Sequence, residues 1–224
     1  MSLMTTMMFS SLRSFIIKKF LISFSFFSEI INLIINDNKR IVLFSENYFY
    51  YSFYKNLLKI LNKENQYQLD LITSDINEYY KLKSHYRVHY IGNGFVLGVI
   101  LRIIRCNFFF TTTTSFGTLV PKSMFVKKYV YFFHSLASTN KIYDQKAFDG
   151  YDIILCATSY HYKEIKKNEI LNKLKKKNIV KFGYLLIDDL IKTKSIISNL
   201  PKKKTILIAP SWNRNKKNFF NNKL

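Results

Sequence analysis

The chain is poor in the residues that interrupt or staple a fold. Its 224 residues include six glycines, three prolines and two cysteines. So little glycine and proline excludes collagen-like repeats and a linker-like chain. The cysteines, Cys106 and Cys156, sit inside apolar strand-like runs, which excludes a disulfide scaffold and reads as two buried, reduced thiols. The four histidines, His85, His89, His134 and His161, lie near no cysteine pair, so no zinc-site spacing is present and no metal or other cofactor is expected. The apolar run Phe20–Ile35, broken by Glu29, is shorter than the roughly 20 residues a membrane-crossing helix needs.

Acidic residues are also scarce, 14 Asp and Glu against 35 Lys and Arg, for a formal charge of +21. A surface that positive attracts polyanions: nucleic acid, anionic lipid or a polyphosphate substrate. A hydrophobic content of 48% excludes a globally disordered chain. The basic start (Arg13, Lys18, Lys19) and the apolar run imitate a signal peptide, but no small-x-small cleavage site follows. Polar residues recur there near helical spacing, so 1–38 is expected to form an apolar or amphipathic helix. It packs on its own domain, lies on an anionic membrane surface, or spans the bilayer; the sequence leaves all three open.

From Lys39 onward apolar runs alternate with helical patterns. Strands are expected at Arg40–Ser45, Leu69–Thr73, Arg87–Ile91, Cys106–Thr111, Lys128–His134, Tyr151–Ala157 and Ile179–Phe182. Helices are expected over Tyr48–Leu61, from Ser74 or Asp75 to Leu82, over Phe95–Arg105 and over Ser159–Lys177. The alternation predicts an α/β fold with a Rossmann-like parallel sheet over 39–198, and Ser198–Lys204 marks a boundary to a segment 199–224. Gly92, Gly94 and Gly98 lack dinucleotide-fingerprint spacing and read as a turn and a close helix approach.

Ligands of open α/β sheets bind at the carboxyl ends of the strands, and His134 closes one apolar run. Thr114, Ser115 and Ser159 follow two others, where hydroxyls and a helix start can meet a phosphate. His161, just inside the last helix, reads as solvated. The lysine runs Lys173–Lys177 and Lys202–Lys204 read as solvated faces, with anionic lipid or polymer as a second possibility.

Four segments in order, YVYFFHS ending at Ser135, YDIILCATS from Tyr151, GYLLIDDL from Gly183 and TILIAPSW ending at Trp212, resemble the CDP-glycerol:poly(glycerophosphate) glycerophosphotransferase family of teichoic-acid type. The resemblance covers about Lys128–Trp212. It implies the N-terminal half of a GT-B-like fold, with His134 as the catalytic base and Ser135 (where the family has glycine) near acceptor phosphates. Asp152, Gly183, Asp189, Pro210 and Trp212 match the family as hinge or structural positions, although Leu185 replaces the family's proline. The implied partners are CDP-glycerol, bound mainly by the family's second half, a lipid-linked polyol-phosphate or glycan acceptor, and an anionic membrane at whose cytoplasmic face the protein is peripheral. Because only a twelve-residue tail rich in Asn and Lys follows Trp212, the chain is expected to lack the donor half and to be inactive alone. The competing class is a non-catalytic protein that binds nucleic acid or anionic membrane. The aromatics cluster with aliphatics as core strands do, and no RNP-like or helix-turn-helix signature is present, so no specific nucleic acid is expected.

Overall fold

A computed structural model of the protein describes residues 31, 33–34, 39–114, 116–117 and 119–194. The segment 199–224, with Pro210 and Trp212, lies outside the described residues, as do Ser115 and most of the N-terminal helix expected over 1–38. Seven strands form one sheet: β1 (Arg40–Ser45), β2 (Gln68–Thr73), β3 (Val88–Tyr90), β4 (Cys106–Thr111), β5 (Val126–Phe132), β6 (Ile153–Cys156) and β7 (Asn178–Lys181). The order across the sheet is β3-β2-β1-β4-β5-β6-β7, and every neighbouring pair is parallel. The connecting helices are α1 (Tyr51–Leu61), α2 (Ile76–Leu82), α3 (Gly94–Ile103), α4 (Thr139–Ile142) and α5 (Ser159–Leu171), and α6 (Leu185–Lys194) follows β7. This is the α/β, Rossmann-like parallel sheet that the alternation predicts.

Each central strand reads as an apolar run because both its faces are covered. In β1, Ile41 and Leu43 point to one core with Tyr54, Leu57 and Leu58 of α1 and Leu82 of α2. Val42 and Phe44 point to the other, with Ile100 and Leu101 of α3 and Ile165 of α5. The thiols of Cys106 and Cys156 lie in that second core, and burial pushes both up to about 12, so they stay protonated and inert at neutral pH.

Several boundaries differ from expectation, those of β5 and α5 among them. β5 begins at Val126, paired with Cys106, and ends at Phe132, paired with Leu155; His134 therefore stands in the loop beyond the strand. The lysine-rich helix ends at Leu171 rather than Lys177. Lys173 takes a left-handed φ of 50°, and the buried Lys177 turns back so that its N–H donates to Glu169 Oε1 at 2.8 Å. Helical pattern continued in the lysines, but a buried tether ended the helix.

Gly150 supplies a sharp packing test. A Cβ placed there would lie 1.8 Å from the carbonyl oxygen of Phe116, whose ring packs against Phe109, Tyr129 and Tyr151. Gly150→Ala is therefore expected to cost about 3 kcal/mol or more in urea unfolding. At Gly98, inside α3, the added methyl meets only the movable Arg102 guanidinium at 3.2 Å. Gly98→Ala should stabilise by roughly 0.5–1 kcal/mol, and the opposite ranking would contradict this packing.

Candidate functional site

The strand order reverses about β1, so the crevice between the carboxyl ends of β1 and β4 is the topological switch point of the sheet. β1 ends in Ser45 and is followed by the exposed Glu46. β4 ends in Thr111, and Thr113 just beyond it donates its hydroxyl to Glu46 Oε1 at 2.7 Å. The buried Tyr151 donates its hydroxyl to the Thr113 carbonyl, holding this loop from the β6 side. Glu46 and Thr113 thus meet across the switch point.

His134 lies two residues beyond β5 and is half-buried. Its ring stands edge-on to Tyr50, with centroids 5.1 Å apart, and to Phe53 of α1, at 6.2 Å. Nδ1 finds no hydrogen-bond partner among the described residues. Burial lowers the pKa of His134 below its ordinary value, and the nearby Glu46 carboxylate opposes that shift without cancelling it. The imidazole is thus neutral at pH 7 and has a lone pair to accept a proton.

The loop carrying His134 is fixed at several points. Tyr184, set by the left-handed Gly183 (φ 99°), donates its hydroxyl to the His134 carbonyl at 3.0 Å. Ser135 Oγ accepts the Ala137 N–H at 3.2 Å. Glu164 of α5 accepts from the hydroxyls of Ser138 and Thr139 and from the Thr139 N–H, each at 2.7 Å. Burial raises the Glu164 carboxyl, but those donors outweigh it and hold the pKa below the ordinary carboxylate value. Glu164 is therefore an ionised anchor for the loop.

His161, read from sequence as solvated, is buried. It stacks on Phe133 with centroids 4.0 Å apart, and its Nε2 lies 3.0 Å from the Ala137 carbonyl. Thr158, not Ser159, caps α5: its hydroxyl accepts the His161 N–H at 3.1 Å, which leaves Ser159 as the first helical residue. Thr114 is half-buried in the loop after β4.

Asp152 is elsewhere. It precedes β6 at the amino edge of the sheet, where Oδ2 accepts the Tyr129 N–H at 2.9 Å and Oδ1 lies 3.4 Å from Lys175 Nζ. Asp189 of α6 accepts from Asn56 of α1 at 3.0 Å and pairs with Lys55 at 2.6 Å. Both residues tie elements together, Asp152 at the amino edge and Asp189 between α6 and α1. The structure brings His134, Ser135, Thr114 and Tyr184 to one edge, with Ser159 at the same end of the sheet.

Glu46 and Tyr50 carry no motif in the sequence, whereas Thr113 belongs to the Thr111–Thr114 run whose hydroxyls are expected at the end of the fourth strand. The available signal was position: Glu46 directly follows the first apolar strand, as His134 follows the fifth. Among the described residues no group of three or more His, Cys, Asp or Glu side chains could hold a metal ion. No described helix is long and apolar enough to cross a membrane.

The His134 environment makes a prediction checked by NMR titration of the ring. Its pKa should fall below the ordinary value of about 6.5, and Glu46→Gln, which removes the opposing carboxylate, should lower it further. Because the unfolded chain protonates first, His134 favours unfolding as pH drops below about 6.5 and ceases to add to that slope below its folded pKa. A pKa raised above 6.5 would contradict the geometry. The chain matches no protein-family model, no curated protein and no solved structure.

Proposed function

We propose that this chain is the acceptor-side domain of a glycerophosphotransferase of GT-B-like architecture, related to the teichoic-acid enzymes that its motifs resemble. It works at the inner face of the cell membrane, on a lipid-linked polyol-phosphate or glycan acceptor. The observation that carries the reading is His134: a neutral imidazole at the carboxyl edge of a parallel sheet, beside the switch point, in a loop anchored by Tyr184 and Glu164. Such a group suits general-base catalysis at neutral pH.

In the proposed step, His134 takes the proton from the acceptor's terminal hydroxyl. The hydroxyl oxygen forms a bond to the glycerol-bearing phosphorus of CDP-glycerol. The bond from that phosphorus to the bridging oxygen breaks, CMP leaves with the electron pair, and a phosphodiester remains on the acceptor. Ser135 and Thr114 are positioned to meet acceptor phosphate or hydroxyl oxygens. Ser115 shares that role by sequence.

The donor is proposed to bind elsewhere than on this sheet. Three cations near the carboxyl edge are engaged: Lys55 pairs with Asp189, Lys81 lies 3.9 Å from the Tyr48 ring centroid, and Lys181 lies 5.3 Å from that of Tyr162. A diphosphate held by these three would have to displace their present partners.

Two measurements test the reading. Calorimetry of the chain alone with CDP-glycerol should show no micromolar binding; such binding would contradict the placement of the donor. With a donor-binding domain supplied after residue 198, His134→Gln should lower transfer by about 10²–10⁴-fold. Undiminished turnover in that variant would remove His134 from the chemistry.

A further inference from the structure

The parallel sheet also sorts charge. Its amino edge, opposite His134, carries Lys39 before β1, Arg105 before β4, Lys122 before β5, Lys127 and Lys128 within β5, and Lys176 before β7. The acids there are largely paired: Asp70 with Arg40 and Arg87, Asp149 with Lys177, Asp152 with Lys175. Lys39, Lys127, Lys128 and Lys176 are exposed, and among the described residues none of them makes an ion pair. This edge is therefore strongly positive.

An exposed apolar group stands among these cations. Met124, just before β5, is 85% exposed, and Phe125 beside it is 38% exposed with the Arg105 guanidinium 4.0 Å from its ring centroid. The backbone N–H of Arg105 donates to the carbonyl of Leu33 at 3.2 Å. Leu33 thus meets the sheet at this same edge.

We propose that the amino edge of the sheet is a docking surface for an anionic lipid bilayer, with Met124 entering the interface and the lysines over the headgroups. Membrane-surface binding combines buried apolar area with cations that each contribute near the headgroups, and both are present here. Nucleic acid fits less well. Single-strand binders stack bases on open aromatic faces, whereas the protruding side chain here is aliphatic and Phe125 is shielded by Arg105. Another exposed apolar face, Phe95, Val96 and Val99 of α3, has Arg102 as its cation, and that side chain bonds the Gly98 carbonyl of its own helix. It lacks the charge that anionic lipid requires.

The orientation has a consequence that, unlike the docking itself, rests on the glycerophosphotransferase reading. β5 is seven residues long, so the carboxyl edge stands about 20 Å above the headgroups. An acceptor linked to lipid must then present its reacting hydroxyl at that height, which favours chain-like acceptors over a single headgroup.

Sedimentation of the full chain with phosphatidylglycerol–phosphatidylcholine vesicles at low salt tests the docking surface. Lys127→Gln with Lys128→Gln should weaken binding about 25-fold, from about five-fold per lysine, and Met124→Ser should weaken it further. Lys163→Gln with Lys167→Gln, an equal charge change on exposed positions of α5, should leave it within about two-fold. His134→Gln should leave vesicle binding unchanged, so failure of the catalytic reading is separable from failure of this one. No sedimentation with anionic vesicles, equal loss from the α5 pair, loss on Phe95→Ser while the edge variants bind normally, or tighter binding to single-stranded nucleic acid than to vesicles through Lys127 and Lys128 would each overturn the proposal.

Discussion

The ladder on β1 is the constraint on which the rest of the molecule depends. β1 is hydrogen-bonded to β2 on one side and to β4 on the other, parallel to both, and all six of its residues are buried. Parallel pairing forces every connection to cross a face of the sheet, so helices must cover both faces and all carboxyl ends must emerge at one edge. That single geometric fact gathers His134, Glu46, Thr113 and Tyr184 at one end and leaves Lys39, Arg105 and Lys127 at the other.

Polar groups taken into such a sheet must be satisfied inside it, and two buried carboxylates show how. Near the carboxyl edge, Glu78 of α2 accepts the hydroxyls of Ser45 at 2.9 Å, Tyr54 and Thr73, tying α1, α2, β1 and β2 together. Burial raises its pKa, and the hydroxyl donors only partly offset this. Within β2, Asp70 sits 3.0 Å from Arg40, Arg87 and His89. Burial again pushes its carboxyl up, but hydrogen bonding with His89 and Gln68 and the electrostatic influence of His89 and Arg40 prevail and hold it below the ordinary range. Removing one partner from either group would leave a buried charge or donor unmatched, a far larger cost than losing a surface pair. The Glu78 network thus binds together the elements that end at the carboxyl edge, and the Asp70 network those nearer the amino edge.

The sheet was legible in the sequence because buried parallel strands are nearly continuous apolar runs. Arg40–Ser45 and Cys106–Thr111 could be bounded by eye for that reason. What could not be read depends on contacts distant along the chain. His161 looks like a polar residue on a lysine-rich helix; it is buried because Phe133 and the Ala137 carbonyl, more than 20 residues away, receive its ring. The lysine run after Leu171 looks like more helix until Glu169 and Asp149 capture Lys177. Glu46 gains its place beside Thr113 only once β1 and β4 lie side by side. The segregation of lysines to one edge was equally hidden, since it follows from strand direction and not from local composition.

The central claim is that the two edges of one parallel sheet have separate tasks, with the acceptor at the carboxyl edge. Backbone and side-chain chemical shifts of the full chain, followed while a glycerol phosphate oligomer is added, test this most directly. The account predicts perturbations centred on His134, Ser135, Thr114 and Tyr184, with the His134 ring among the most affected. Perturbations confined to Lys127, Lys128 and the other amino-edge lysines, with the His134 ring unmoved, would contradict it.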